Sequence, residues 1–216
     1  MSEIPAPIFD DGFRAKLETL IRWRRDVRRF KPDPIAPAVL DDLLSLAALA
    51  PSVGLSQPWR FVMVDDPARR AAVRRNFEVS NAEALAECRQ ERKALYAKLK
   101  LAGLDEAPHH LALFADVEPS QGHGLGRLSM PETVAYSAVM AAHTLWLAAR
   151  AFGVGVGWVS ILDPSAMAAT LQVPSSWRFI GYFCIGFPQV DDDTPELERH
   201  GWEHRRRDGT LALLQR

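Results

Sequence analysis

From Val134 to Leu162 the chain carries a single formal charge, Arg150, and this stretch limits what the remainder can fold into. His143, Arg150 and the glycines at 153, 155 and 157 interrupt it, so it lacks the ~20 consecutive apolar residues that a membrane span requires. Its first part is periodic, with Val134, Ala138, Leu145, Ala149 and Phe152 on a helical pattern, and its many alanines predict close helix packing in the interior or at a subunit interface. Gly153, Gly155 and Gly157 then alternate with valines and lead into Trp158, Val159 and Ser160. That pattern predicts a strand whose glycine side is approached closely by something flat or by another backbone.

A buried helix of this kind needs a whole domain around it. With 216 residues, 48% of them hydrophobic, and neither an internal repeat nor a linker, the chain is expected to form one domain over residues 1–216. A formal net charge of −1 gives no global field for nucleic acid or an anionic membrane surface, so any basic site must be local. The start, MSEIPAPIFDDGF, lacks the basic and apolar regions of a secretory signal, and the two cysteines, Cys88 and Cys184, form no CxxC pair. A reducing cytoplasm fits.

Asp10 and Asp11 precede Phe13, Leu17, Leu20 and Ile21, which share one face of a first helix running into the arginine-rich stretch. A second helix begins near Pro37, buries Val39, Leu40, Leu43, Leu44 and Ala47, and stops before Pro51 and Gly54. Strands are expected at 60–64, 110–115 and 177–187, and another at 210–214. Pro67 opens a long polar helical region with apolar contacts at Leu85, Leu95, Tyr96 and Leu99; GHGLGR from Gly122 is a loop; Ser129 and Glu132 fit a capping box; and Asp163 with Pro164 starts a short helix. Helices alternating with strands, without regular βαβ glycine signals, predict a mixed α+β layer fold.

Several constellations have more than one reading. Arg24, Arg25, Arg28 and Arg29 lie in RRDVRRF, where a cationic run can simply complement a helix C-terminus. With the second run at Arg205 it could equally hold one phosphate, a task suited to guanidinium groups. Asp26, inside the cluster, reads either as a salt-bridged surface carboxylate or as a positioned proton acceptor. PSVGLSQPW, with Ser52, Ser56 and Gln57, offers hydrogen bonds to a ring edge, or is an ordinary turn. The GxGxG at Gly153 runs into WVSIL and opens no helix, which argues against a dinucleotide fingerprint. His200 and His204 have zinc-ligand spacing without an HExxH glutamate, and no metal is expected. Gly-x-Ser-x-Gly is absent, leaving a hydrolase unsupported.

Taken in order, RRDVRRF, APSVGLSQPWRFV from Ala50, KLKLAGLDEAP from Lys98, the long segment from Met130 to Leu162 and GWEHR from Gly201 resemble the nitroreductase-type flavoproteins. Within that superfamily they resemble the 5,6-dimethylbenzimidazole synthases (the BluB family) over nearly the whole chain.

The resemblance implies a mixed sheet flanked by helices, in a homodimer whose subunits exchange terminal extensions and hold FMN at their interface. It implies that Arg24, Arg25, Asp26, Val27, Arg28 and Arg205 bind the flavin phosphate and ring edge. Ser52, Ser56 and Gln57 would lie at the flavin, Leu99 would sit in a lid over it, and Gly157 and Ser160 would line the other side of the ring. Reduced FMN is then the substrate and O2 the co-substrate. The flavin fragments to 5,6-dimethylbenzimidazole and erythrose 4-phosphate, and NAD(P)H enters only indirectly, through a separate flavin reductase. Asp26 would be the acid/base group and Ser160 would orient the reacting oxygen. The competing readings are an NAD(P)H-dependent nitroreductase or flavin reductase that keeps its FMN intact, and a flavin-binding module without chemistry.

Overall fold

The computed structural model describes residues 6–96 and 103–206. In chain order the elements are α1 (Asp11–Trp23), α2 (Pro37–Ala47), a 3-10 turn (Val53–Leu55), β1 (Trp59–Met63), α3 (Pro67–Glu87), α4 (Gln90–Tyr96), α5 (Gly103–Glu106), β2 (His109–Asp116), α6 (Thr133–Ala151), β3 (Gly155–Val159), α7 (Pro164–Leu171), β4 (Trp177–Gly186) and α8 (Glu196–Arg199). The strands form one four-stranded sheet in the order β1-β2-β4-β3. Its ladders are all antiparallel. Among the described residues the parallel component of the expected mixed sheet is confined to a single bridge, Asp26 to Val156. The strand expected at 210–214 and the lid residue Leu99 lie outside the described residues.

The apolar stretch divides as its periodicity requires. Val134, Ser137, Ala138, Ala141, Ala142, Leu145 and Ala149 of α6 are buried against one face of the sheet, with α2 and residues such as Leu111, Leu113, Val156 and Phe183. Alanine at four of those positions keeps the helix close, which a larger side chain would prevent. The opposite face of the sheet is covered by α3 and α7, with Phe30, Val73, Phe114, Met167, Tyr182 and Cys184 in the second core. Period-2 alternation along β4 sends Phe183 and Ile185 to one core and Tyr182 and Cys184 to the other.

Local signals at the helix ends are mixed. The Asp10 carboxylate accepts the Phe13 N–H at 2.7 Å and starts α1, and Asp163 caps α7 in the same way. The capping box expected at Ser129 and Glu132 does not form: a turn over Met130–Thr133 delays α6, so Glu132 is itself the cap residue and makes no side-chain cap bond. The long polar helix from Pro67 is broken at Cys88 into α3 and α4. The apolar face of α1 finds little cover among the described residues, with Phe13 46%, Leu17 40% and Ile21 53% exposed.

Candidate functional site

The alternating glycines of β3 make a trough, and the segment after α1 lies in it. A Cβ at Gly157 would stand 2.1 Å from the Val27 carbonyl oxygen, one at Gly155 would stand 2.8 Å from Val27 Cγ2, and one at Gly186 would stand 3.1 Å from the Phe30 ring. The close approach read from the sequence is therefore made by the chain's own backbone at Val27. Hydrogen bonds fix this strap along its length: Trp146 Nε1 donates to Arg25 O at 2.9 Å, Val27 N to Val156 O at 3.0 Å, and Lys31 N to Phe187 O at 2.8 Å. The arginines of RRDVRRF are consequently not helical. Arg24 is the C-cap of α1 in extended conformation, and the strap begins there.

Asp26 is the residue the strap presents. Its Oδ1 accepts the Trp158 backbone N–H at 2.9 Å, and its Oδ2 lies 3.6 Å from Arg28 Nε. Burial raises its pKa above the usual carboxylate value, against the lowering effects of the Trp158 hydrogen bond and of Arg28 and Arg24. Over a third of the side chain, 38%, still meets solvent, so the carboxyl group can exchange protons with what enters the cleft.

Around it the guanidinium groups of Arg24, Arg25, Arg28 and Arg205 gather on one cleft. Arg24 stacks 4.8 Å from the Trp146 ring centroid. Burial lowers the pKa of Arg24; Asp26 opposes that and the Arg205 charge adds to it. Burial also lowers Arg25, with Arg205 and Arg24 adding to the effect and Asp193 and Asp192 opposing it. Arg25 Nε and Nη2 are buried without a hydrogen-bond partner among the described residues. Arg24, Arg25, Asp26, Arg28, Glu196, Leu197 and Arg205 line a cleft of about 120 Å³. An adjoining cleft of about 190 Å³ shares Arg25, Asp26, Arg28 and Glu196 and adds Val27, Asp192, Thr194 and Arg199. Four guanidinium groups on one cleft, with two Arg25 donors unfilled among the described residues, fit an oxyanion such as a phosphate monoester, which would take bidentate bonds from them.

The PSVGLSQPW loop is more constrained than an ordinary turn. Gly54, Leu55 and Gln57 have φ of 54°, 56° and 42°, and non-glycine residues in that region are strained. Ser52 Oγ accepts the Gln57 N–H at 3.1 Å, Val53 N donates to Ser137 Oγ at 3.0 Å, and Gln121 Nε2 donates to Leu55 O at 3.0 Å. Ser56 is 2% exposed and its Oγ has no partner among the described residues.

Of the residues singled out in the sequence, the structure brings Arg24, Arg25, Asp26, Val27, Arg28 and Arg205 together. Ser52, Ser56 and Gln57 belong to the separate loop, and Ser160 is exposed just beyond β3; none of these four lines either cleft. Gly157 lies beneath the strap. His200 faces Glu196 at 3.6 Å, and His204 faces Glu198 at 3.6 Å. Sequence reasoning missed the Trp158 N–H and Trp146, since a backbone donor and an indole across the fold leave no motif.

The geometry can be set beside known proteins. The Nitroreductase family model matches residues 21–187. A protein of Rhodospirillum rubrum named 5,6-dimethylbenzimidazole synthase is 57% identical over 200 residues, covering 93% of this chain and 95% of the relative. One of the same name from Rhodobacter capsulatus is 50% identical over 195 residues, covering 90% and 94%. The solved structure of oxidized iodotyrosine deiodinase, bound to FMN and 3-iodo-L-tyrosine, superposes with a TM-score of 0.73 at 24% identity, covering 93% of this chain and 99% of that one, a likeness of fold. The chain belongs to the Nitroreductase family, and within it to the group whose members are named 5,6-dimethylbenzimidazole synthase.

Proposed function

We propose that the protein is a 5,6-dimethylbenzimidazole synthase that fragments reduced FMN with O2, giving 5,6-dimethylbenzimidazole, the lower ligand of cobalamin, and erythrose 4-phosphate. The observation that carries this reading is a proton-competent carboxylate, Asp26, set among guanidinium groups of which one, Arg25, has two buried donors without a partner among the described residues. Arg24, Arg25, Arg28 and Arg205 would hold the flavin phosphate, and filling Arg25 Nε and Nη2 would remove a desolvation cost the protein otherwise carries. Bound reduced FMN supplies the electrons and the ring atoms that leave as the benzimidazole. The chain's residues orient it and handle protons.

Asp26 is suited to that task because Trp158 fixes Oδ1 while Oδ2 faces Arg28 and the cleft. A carboxyl group whose pKa is raised by burial can take up and return a proton nearer neutral pH than an ordinary aspartate. We assign Ser160 the orienting of the reacting oxygen, and the loop carrying Ser52, Ser56 and Gln57 a place at the ring. Homodimerisation supports that last assignment: the exposed apolar residues Phe13, Leu17 and Ile21 of α1 and Tyr136, Val139 and Met140 of α6 would be covered by a second copy, which would bring its own loop. Reduction of the flavin falls to a separate NAD(P)H-dependent reductase. A reducing cytoplasmic setting agrees with the free Cys88 and Cys184.

The test is anaerobic loading with reduced FMN followed by exposure to air, with products separated by chromatography and identified by mass. Dimethylbenzimidazole in proportion to FMN lost is the expected result. Quantitative recovery of intact oxidised FMN would move the assignment to a flavin-retaining nitroreductase or flavin reductase.

A further inference from the structure

The strap that presents Asp26 is held at its other end by a contact with no part in the site described above. Phe30 pairs with Pro188 through two sheet-like bonds on its flanks, Lys31 N to Phe187 O at 2.8 Å and Gln189 N to Arg29 O at 3.1 Å. Antiparallel geometry turns the N–H and C=O of Phe30 itself away from Pro188. Both would be left unmatched, and both are met by side chains. Glu106 Oε2, from α5, accepts the Phe30 N–H at 3.1 Å, Gln189 Nε2 donates to the Phe30 carbonyl at 2.9 Å, and Gln189 Nε2 also reaches Glu106 Oε2 at 3.3 Å.

The Phe30 ring is fixed at the same point. It is 1% exposed, and glycines line its seat: a Cβ at Gly103 would stand 2.8 Å from the ring, one at Gly186 3.1 Å and one at Gly157 3.6 Å. Gly103 and Glu106 lie one helical turn apart, so α5 grips both the ring and the backbone of this residue. Only Val27, Arg28 and Arg29 separate Phe30 from Asp26, and both ends are bridged to the sheet, so a shift at one end has three residues in which to be absorbed before it reaches the other.

We propose that Glu106 is a positioning residue for Asp26: by anchoring Phe30 it fixes the strap that presents the carboxylate to its substrate. The inference rests on the reading of Asp26 as the acid/base group. A carboxylate suits the anchor because one oxygen can accept from two donors at once, the Phe30 N–H and the Gln189 amide. The amide oxygen of a glutamine at 106 can do the same, whereas an alanine leaves the Phe30 N–H unmatched.

The experiment compares the full-length parent, Glu106→Ala and Glu106→Gln. Amide hydrogen exchange of residues 24–31, read without flavin, is expected to quicken about tenfold in Glu106→Ala and to return toward the parent in Glu106→Gln. Dimethylbenzimidazole formed per FMN consumed is expected to fall on the order of tenfold in Glu106→Ala, with FMN affinity within about threefold of the parent, and to recover in Glu106→Gln. Should Glu106→Ala fail to fold, Gln189→Leu removes the partner contact and is read the same way. Unchanged exchange, or faster exchange with undiminished product, overturns the inference while leaving the synthase reading intact. A parent that binds FMN and makes no dimethylbenzimidazole overturns the synthase reading, and the catalytic meaning of the anchor with it.

Discussion

The backbone N–H of Trp158 donates to Asp26 Oδ1 at 2.9 Å, joining residues 132 apart in sequence. This single bond aligns the carboxylate across the β3 edge, and an asparagine can accept it equally well. Asp26→Asn should therefore bind FMN within a fewfold of the parent while losing roughly 100-fold or more in product formation, the scale of a lost general acid/base. The pH dependence of stability checks the electrostatics. The Asp26 pKa is raised in the folded state by burial, so its contribution is fully present below the unfolded carboxylate value and is lost as pH rises through the folded one. Removing the titration should leave Asp26→Asn with a higher Tm than the parent near pH 7 and no such advantage below about pH 4. Equal Tm differences at both pH values would contradict this account.

Arg25 carries the clearest sign of an anion site, because its Nε and Nη2 are buried and unpartnered among the described residues and the repulsion of Arg205 and Arg24 outweighs the pull of Asp193 and Asp192. Arg25→Leu should weaken FMN binding by roughly 10-fold to 100-fold, as loss of charge-assisted bonds worth about 1.5–3 kcal/mol implies. The flavin-free protein should unfold at the same temperature or higher, since an uncompensated cation is gone. Inorganic phosphate should raise the Tm of the parent more than that of the variant. A thermal melt of both proteins with and without phosphate decides it, and a variant that melts lower yet gains as much from phosphate would rule the site out.

Much of the framework was legible from local pattern. The α6 periodicity, the start of α1 at Asp10 and the four central strands follow from side-chain spacing and capping chemistry, which operate within a few residues. The site was legible in composition and illegible in geometry. RRDVRRF announced a cationic cluster, but its backbone is set by glycines more than a hundred residues away, and Gly157 makes sense only once Val27 is seen above it. The Ser52 hydroxyl accepts the Gln57 N–H and so holds its own loop in shape, a contact that residue type alone does not announce. Glu106 lay within a segment that carried the family resemblance, and nothing in its sequence neighbours points to Phe30.

Gly157 and Gly153 separate a steric glycine from a conformational one. At Gly157 an added Cβ would stand 2.1 Å from the Val27 carbonyl oxygen, whereas at Gly153 nothing lies within 4 Å and the residue is left-handed at φ +72°. Gly157→Ala must lift the strap, so it should cost at least the ~1–3 kcal/mol typical of overpacking and should also impair FMN binding. Gly153→Ala should cost only about 1 kcal/mol of backbone strain and leave FMN binding unchanged. Urea unfolding and flavin titration of the two variants test the distinction, and equal flavin affinities would mean that the strap does not govern the site.

In the core that also holds Phe30, His110 Nδ1 and the Tyr182 hydroxyl lie 2.8 Å apart. Burial, reinforced by the Arg70 charge, pushes His110 down to about 4 against a backbone hydrogen bond at Ala107, and burial raises Tyr182. With the ring neutral, His110 Nδ1 and the Tyr182 hydroxyl satisfy each other in a site closed to water. Tyr182→Phe leaves that nitrogen buried and unmatched, so it should destabilise the fold by about 1–3 kcal/mol at pH 7. The pairing also sets a pH window. Below the ordinary histidine value of 6.5 the unfolded chain takes a proton that the folded protein refuses until about pH 4, so stability falls as pH drops across that interval. His110→Gln removes the titration while keeping a side chain that can accept from Tyr182. Its unfolding free energy should decline less than the parent's between pH 7 and pH 4.5, because one fewer proton is taken up on unfolding. Parallel declines in urea melts would show that another group governs the acid sensitivity.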